Sequence, residues 1–392
     1  MNFIVFFFSL ILPVHAVGLA MLESMKKKTG ILPVLSIALA FATISLTLIP
    51  PETYDLYRHY ERIDSLSRLS FIQAISIAEP GYILFHAYAW LINSLGLPKQ
   101  FFTASIVFTS YFLVLSVFLD LKVRFLNKEK KQTRLIVFCI FWLSIGFVGI
   151  ASGIRNGFAN IIILYVGYQF IYHNKLGLFL IGSISAFFIH PFAALPALLV
   201  FLSKKQSRFS KYGKILVFVA IIFLFLSKYT AYIINLFTPL VEGFSFYKGS
   251  YLEVDSKWGG GFAETRSING LIASFVIERL SFYIAMIYLL INKPKNNNPL
   301  YLLLCCFALC LGLLFTFYSF FGRMNLIFIY FFSIYISAEY IINKNKINKV
   351  FICLFLGALV LHSTFNLYEY RNFLFSSYEL LYKPLPLLLF GF

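Results

Sequence analysis

An arginine and a histidine stand at the two ends of one hairpin-like stretch, residues 149–194. Arg155 opens its first apolar run, His190-Pro191 closes the second, and the runs meet at His173-Asn174-Lys175. A helical hairpin returns its far ends to one side of a membrane, so we expect Arg155 and His190 to lie close together. An arginine at membrane depth is costly without a partner, and the pair therefore predicts a functional site. The alternatives are a snorkelling anchor at Arg155 and a helix end before proline at His190.

The composition indicates the class of protein that must position this pair. Of 392 residues, 60% are hydrophobic and only 12% are charged, and a soluble domain carries about twice that charge. The formal net charge of +17 does not indicate nucleic acid, because most Lys and Arg residues occupy short links between apolar runs. Five cysteines lie within apolar runs without metal-ligand spacing, which favours packing roles.

Hydropathy and charge together predict an all-α polytopic integral membrane protein. About twelve transmembrane helices alternate with basic inner links and more acidic outer segments. The chain is expected to be a single transmembrane domain, 1–392, with two longer outer loops, 50–81 and 239–270. Residues 63–78 have apolar positions at helical spacing and are predicted to lie along the membrane surface. Residues 82–96 are short for a span, which favours a re-entrant or outer-leaflet helix.

The outer face carries the residues suited to chemistry. Isolated arginines fit a phosphate or pyrophosphate, which accepts forked hydrogen bonds from a guanidinium. Tyrosines beside carboxylates fit sugars, whose apolar faces stack while their hydroxyls donate to Asp and Glu. Together these residue types suggest a lipid-linked sugar as the ligand.

Other chemical signatures are missing from the sequence. It contains no Walker motif, no HExxH and no DxD at a predicted helix end. Gly259-Gly260-Gly261 has no strand-to-helix context and is interpreted as a loop tip. Glu278-Arg279, inside a predicted span, fits an interhelical ion pair and a substrate contact equally well.

Several short motifs, taken in order, resemble the EpsG/Wzy-like family of bacterial polysaccharide polymerases. The resemblance covers roughly residues 20–345, with Asn156 where Gln is commoner in the family and Pro191 directly after the histidine. The motifs are Tyr54-Asp55 with Tyr57 and Tyr60, Glu79-Pro80-Gly81-Tyr82, Arg155-Asn156-Gly157-Phe158-Ala159, Phe188-Ile189-His190-Pro191 with Ala193-Ala194, and Gly322-Arg323.

The resemblance implies a glycosyltransferase that polymerises oligosaccharide units carried on undecaprenyl pyrophosphate. Such proteins act at the outer face of the bacterial inner (cytoplasmic) membrane, in contact with membrane lipids and in some cases with a chain-length regulator. The lipid pyrophosphate is the leaving group, so the expected cofactors and metals are none, and no nucleic acid is involved. O-antigen, capsule and exopolysaccharide remain open as products, as do the sugar, the linkage and the oligomeric state.

The predicted site combines a proton acceptor with cationic and aromatic substrate contacts. His190 is the favoured base, because a helix end holds a base more firmly than a loop does. The alternative acceptors are Glu79, Asp55 and Glu264. The predicted substrate-binding residues are Arg155, Arg323, Arg279, Arg266, Arg58, Tyr54, Tyr82 and Asn156.

Two other classes of function remain as alternatives. A multispan flippase or transporter of a lipid-linked or anionic glycan would need polar residues along a path and internal repeats. No convincing repeat is present, and the polar residues gather at one face. A membrane O-acetyltransferase would carry an early His- and Arg-rich signature, which this sequence lacks.

Overall fold

The computed structural model describes the greater part of the chain, and within those ranges it forms helices and turns and no strand. Helices dominate because apolar backbone in a bilayer must satisfy its own hydrogen bonds. This agrees with the predicted all-α class. The described residues are 2–26, 30–52, 54–78, 80–227, 229–230, 232, 267–292, 297–343 and 345–369.

The helices fall into two compact units. The first comprises Met1–Tyr165, Ile181–Pro191 and Ser363–Phe392, and the second comprises Val166–Leu180 and Phe192–His362. The helices numbered to α11 are α1 Asn2–Ile11, α2 Pro13–Ser24, α3 Leu32–Leu46, α4 Asp55–Ser65, α5 Phe71–Ser76, α6 Ile83–Ser94, α7 Gln100–Leu121, α8 Lys131–Ser144, α9 Phe147–Ser152, α10 Ile154–His173 and α11 Leu176–Ile189. The remaining described helices are α12 Ala194–Lys205, α13 Gly213–Phe225, α14 Ile268–Ile272, α15 Leu280–Ile291, α16 Pro299–Leu313, α17 Tyr318–Ile342 and α18 Lys346–Glu369.

Five helical segments of the described chain are long and apolar enough to cross a bilayer. Together with the composition they define a multipass membrane protein. The count of about twelve crossings stays a prediction, because several described helices, α6 among them, are shorter than a bilayer is thick. The five segments are Gln100–Leu126, Lys131–Ser152, Ile268–Ile291, Tyr318–Ile342 and Lys346–Tyr368.

Two apolar runs that read as continuous in the sequence are broken in the structure. The run 2–20 divides at Leu12 into α1 and α2, because the ring of Pro13 disfavours helical backbone in the residue before it. The run 135–150 divides at Ile145-Gly146, where extended backbone interrupts the candidate span Lys131–Ser152 and separates α8 from α9.

The first predicted outer loop, 50–81, is helical from an earlier residue than its periodicity predicted. The prediction of a surface helix over 63–78 was wrong in its bounds, since α4 begins at Asp55 and α5 at Phe71. An acid in the first turn favours the helix start at Asp55. A capping box in which Ser70 and Gln73 bond each other's backbone N–H groups starts α5. The second outer loop, 239–270, lies almost wholly outside the described residues.

Hydrogen bonds hold this outer segment against the helices that follow it. The indole of Trp90 donates to the carbonyl of Leu69 at 2.9 Å, and the amide of Asn93 donates to the carbonyl of Ile63 at 2.8 Å. The hydroxyl of Tyr60 bonds that of Thr103 at 2.9 Å. The residues after α3 therefore form a platform fixed on α6 and α7.

Two residues of the predicted inner basic run 122–134 have a structural task. The Lys122 ammonium donates to the carbonyl of Ser24 at 2.7 Å, and Arg134 Nε donates to the carbonyl of Met25 at 2.8 Å. Both basic side chains are buried. They satisfy carbonyls that the end of α2 leaves without helical partners.

Close helix packing in the second unit depends on two glycines. A Cβ at Gly312 would lie 2.5 Å from the carbonyl oxygen of Ala220, and one at Gly213 would lie 2.4 Å from the ring of Tyr301. Small residues allow helix backbones to approach closely in membranes. Gly213 and Gly312 therefore allow the close contact of α13 with α16.

Candidate functional site

Arg155 lies over the ring of Tyr82. The guanidinium carbon is 4.4 Å from the centre of that ring and 5.7 Å from the centre of Phe85. Tyr82 ends the short 3-10 turn that precedes α6, and Arg155 is in the first turn of α10. An arginine on an aromatic face gains about 0.5–2 kcal/mol, more as water is excluded. Both side chains are half-buried, so the contact orients the guanidinium without sealing it from ligands.

His190 lies against the same tyrosine. The two ring centres are 5.7 Å apart and the rings are nearly perpendicular, at 84°. His190 directly follows the end of α11, where its N–H donates to the carbonyl of Ala186 at 2.9 Å. The expectation that Arg155 and His190 lie close together is therefore confirmed, and Tyr82 is the residue they share. The imidazole is 7% exposed.

The contact between Tyr82 and His190 depends on a glycine. A Cβ at Gly81 would lie 2.1 Å from Cγ of Pro191. No side chain fits there, so the turn before α6 and the turn after α11 touch only because residue 81 is glycine. The proline beside the histidine, a departure from the family pattern, is thus part of the packing that places His190.

A second histidine lies next to this group. The rings of His59 and Phe85 are 5.2 Å apart, so Phe85 contacts both His59 and Arg155. The pKa of the His59 imidazole is lowered to about 3, mainly because burial disfavours its charged form and further because Arg155 is close. His59 is therefore neutral at physiological pH.

Asp55 and Arg58 lie at the exposed start of α4. Their side chains form an ion pair at 2.7 Å. The other carboxylate oxygen of Asp55 is 3.8 Å from Nε2 of His59, beyond hydrogen-bonding distance. Tyr54 has extended backbone just before the helix. The roles predicted for these residues remain predictions, and the structure adds that Asp55 already neutralises one arginine.

Further polar side chains lie near Arg155 in the chain or in the same unit. Nη1 of Arg62 lies 3.4 Å from Nε2 of His86, a third buried histidine. Asn156, the residue after Arg155, has a buried side-chain oxygen that accepts no hydrogen bond. A buried acceptor left without a donor costs free energy, so a donor from a ligand would be favoured there.

Arg279 belongs to the second unit and is surrounded by aromatic rings. Its guanidinium lies 4.2 Å from the ring of Phe275, 4.3 Å from Phe315 and 4.1 Å from Phe321, and the side chain is 1% exposed. Nη1 donates to the carbonyl of Phe315 at 3.1 Å. This placement favours a structural role over contact with a ligand.

Glu278 has a partner of its own, as expected for neighbours on a helix. Its carboxylate accepts a hydrogen bond from the hydroxyl of Tyr318 at 2.7 Å. Arg323, also in the second unit, is half-buried on α17. Glu79 and Arg266 lie outside the described residues. Convergence of Arg155 with Arg279 and Arg323 on one pyrophosphate remains a prediction.

Sequence reasoning missed His59 and Phe85. His59 was missed because the sequence predicts residues 50–81 as a loop. Within a helix beginning at Asp55, the spacing of Asp55, His59 and Arg62 is that of one helical face, and this signal could have revealed the histidine. Across the described residues, no group of three or more His, Cys, Asp and Glu side chains has metal-binding geometry.

The fold and the site together define a class. The protein is a multipass helical membrane protein in which an arginine, a tyrosine and a histidine from three separate helix ends meet in one unit. A family model matches residues 30–380, and the chain belongs to the EpsG family. The match covers nearly the whole chain and supports a polysaccharide polymerase. Comparisons with curated proteins and with solved structures found no significant match.

Proposed function

We propose that the protein polymerises oligosaccharide repeat units carried on undecaprenyl pyrophosphate, at the outer face of the bacterial inner membrane. The observation that carries this proposal is the shared contact of Arg155 and His190 with Tyr82. A fixed cation beside a group able to accept a proton is what glycosyl transfer from a pyrophosphate requires.

Arg155 is assigned to the pyrophosphate of the donor. As the bond between the sugar's anomeric carbon and the pyrophosphate oxygen breaks, negative charge grows on the departing lipid pyrophosphate. A guanidinium can give that anion two parallel hydrogen bonds, and its stacking on Tyr82 holds the plane of the fork. Arg62 on α4 adds positive charge on the same unit, whereas Arg58 is paired with Asp55.

His190 is assigned to the acceptor. The acceptor hydroxyl forms the new bond to the anomeric carbon, and its proton passes to the imidazole. The imidazole of His190 is buried and packs nearly perpendicular to the ring of Tyr82, which fixes its position. His59, the other histidine near Arg155, is a poor base, because burial and Arg155 lower its pKa to about 3. Glu79 and Asp55 remain the alternative proton acceptors. The proposal covers transfer with inversion and transfer with retention of configuration at the anomeric carbon.

The class of activity is tested in cells. A deletion strain complemented with the wild-type gene should display a ladder of glycan lengths, whereas the deletion strain should display one repeat unit on its lipid core. Arg155→Ala should give the single-unit pattern at normal protein level in the membrane. A deletion strain with no surface unit at all would indicate a flippase and would overturn the proposal.

A further inference from the structure

The first unit has a cleft apart from the Arg155 group, which comprises Arg155, Tyr82, Phe85, His59 and His190. It has a volume of about 350 Å³ and is lined by two tyrosines, four charged or amide side chains and three aliphatic residues. That volume is in the range of small-ligand sites. Its polar and aromatic lining residues are Tyr57, Tyr60, Glu61, Asp64, Lys99 and Gln100.

One face of α4 supplies most of the polar and aromatic lining. Residues 57, 60, 61 and 64 follow the spacing of adjacent turns, so their side chains share a side of the helix. Lys99 and Gln100, where α7 begins, face them, and residues 48–50 after α3 complete the cleft. The neighbouring face of α4 carries His59 towards Phe85. A single helix thus serves both the cleft and the Arg155 group.

The charges in the cleft do not suit a phosphate. The cleft contains two carboxylates, Glu61 and Asp64, and one ammonium, that of Lys99. Lys99 is already paired with Asp64 at 2.5 Å. The remaining carboxylate, Glu61, lies beside Tyr57 and is the main reason that the pKa of the Tyr57 hydroxyl is raised. An anion would meet an unneutralised carboxylate here, whereas hydroxyl or ammonium groups would find acceptors.

One of the two tyrosines in the cleft, Tyr60, is held in place. The Tyr60 ring is buried, its hydroxyl bonds Thr103 at 2.9 Å, and the Lys99 ammonium lies 5.7 Å from its centre. Burial raises the pKa of Tyr60 to about 12, so it is not ionised at neutral pH. The partly exposed ring of Tyr57 can pack on a sugar ring, and the carboxylate, amide and ammonium groups can bond the sugar's hydroxyls in both directions.

We propose that this cleft is a saccharide-binding subsite that takes a neutral or amino sugar of the acceptor glycan. The assignment of the sugar to the acceptor rests on the proposed polymerase function; the chemistry of the cleft does not. Because His59 and Tyr60 are consecutive residues of α4, a glycan held in the cleft would be bound by the same helix that packs beside the Arg155 group.

Binding of lipid-free oligosaccharides tests this subsite directly. The probe is a set of fragments of the cell's own surface polysaccharide, released by partial acid hydrolysis and titrated into the full chain in lipid nanodiscs. We expect Tyr57→Ala and Glu61→Gln each to weaken binding about tenfold, the size of one or two lost hydrogen bonds. Both positions are at least partly exposed, so folding should survive. Ser76→Ala, at the exposed end of α5, is the matched control.

The outcomes separate this inference from the proposed function. Wild-type protein and Arg155→Ala should bind the fragments equally, and inorganic pyrophosphate should not compete. If Tyr57→Ala and Glu61→Gln bind as tightly as wild type, or wild type binds no fragment while still making polymer, the subsite is overturned and the polymerase stands. Selective loss of binding in the cleft variants of a protein without polymerase activity would support the subsite and refute the acceptor role.

Discussion

At the scale of single residues, Arg155 and Arg279 use aromatic rings in different ways. Arg155 rests on one tyrosine and stays half-buried, whereas Arg279 lies within about 4 Å of three phenylalanine rings and is 1% exposed. A guanidinium open to water can gain a ligand; one enclosed by rings mainly stabilises the packing around it. The two arginines should therefore respond differently to substitution.

Replacing each arginine by alanine separates these roles. Arg155→Ala should leave the melting temperature close to that of wild type and abolish polymer, because it removes a forked bond of roughly 1.5–3 kcal/mol to the pyrophosphate. Arg155→Lys, which keeps the charge and loses the fork, should be badly impaired. Arg279→Ala should lower the melting temperature and the protein level. Equal melting temperatures for Arg279→Ala and wild type would contradict the structural role.

The buried imidazole of His59 makes the stability of the protein sensitive to acid. The pKa of His59 is lowered in the folded state, so the unfolded state binds the extra proton. The contribution of His59 to the free energy of unfolding is complete above the pKa of the unfolded state, about 6.5. It is lost as the pH falls from there towards the folded-state pKa of about 3. Between pH 7.5 and pH 5 the loss should be about 2 kcal/mol.

Thermal unfolding in nanodiscs at these two pH values measures this loss. His59→Gln should reduce the difference in melting temperature between pH 7.5 and pH 5. His173→Gln, at the end of α10, is the control and should keep the wild-type difference. An unchanged pH dependence in His59→Gln would show that other groups cause the acid sensitivity.

At the scale of elements, the site depends on two turns touching. Gly81→Ala would place a Cβ 2.1 Å from Cγ of Pro191 and push the Tyr82 turn away from His190. We expect loss of polymer with the protein still in the membrane. Gly18→Ala, where no atom lies within 4 Å of the new Cβ, is the control and should be active.

A second substitution sharpens this prediction. Pro191→Ala removes Cγ and Cδ, the two nearest clashing atoms. In the Gly81→Ala background it should restore part of the ladder, since substitutions at one contact are not additive. If the double variant is no better than Gly81→Ala alone, the loss has a cause other than this clash.

The sequence predicts which residues lie close together where a helical hairpin reverses the direction of the chain. The proximity of Arg155 and His190 follows from two apolar runs of similar length joined by a short link, and both residues indeed contact one ring. The position of Tyr82 between them was not predictable, because it depends on packing between segments about 70 residues apart along the chain. The helix at Asp55 was missed because its polar surface outweighed the buried stripe of Leu56, Tyr60 and Ile63.

At the scale of the whole molecule, the site requires the outer segments to face away from the cytosol. Lys and Arg predominate in the short links, and acids predominate in residues 51–80 and 239–270. Lys122 and Arg134 show that some link charges also cap a helix, but the bias of the remaining links still sets the predicted orientation.

Cysteine labelling tests that orientation. In a variant without the five native cysteines, single cysteines in 51–80 and 239–270 should react with a membrane-impermeant reagent added to spheroplasts. Cysteines in 122–134 and 203–214 should react only after permeabilisation. Labelling of 203–214 from outside would overturn the assignment of the site to the outer face.

Reconstitution provides the most direct measurement, because in nanodiscs both membrane faces are open and no transport is needed. Purified wild-type protein supplied with lipid-linked repeat units should form a ladder of glycan lengths and release lipid pyrophosphate. His190→Gln should bind donor and acceptor and slow transfer by about 10² or more, and Arg155→Ala should lose donor binding. A folded wild-type protein that forms no chain longer than one repeat unit, or near-normal transfer by both variants, would contradict a polymerase built on Arg155 and His190.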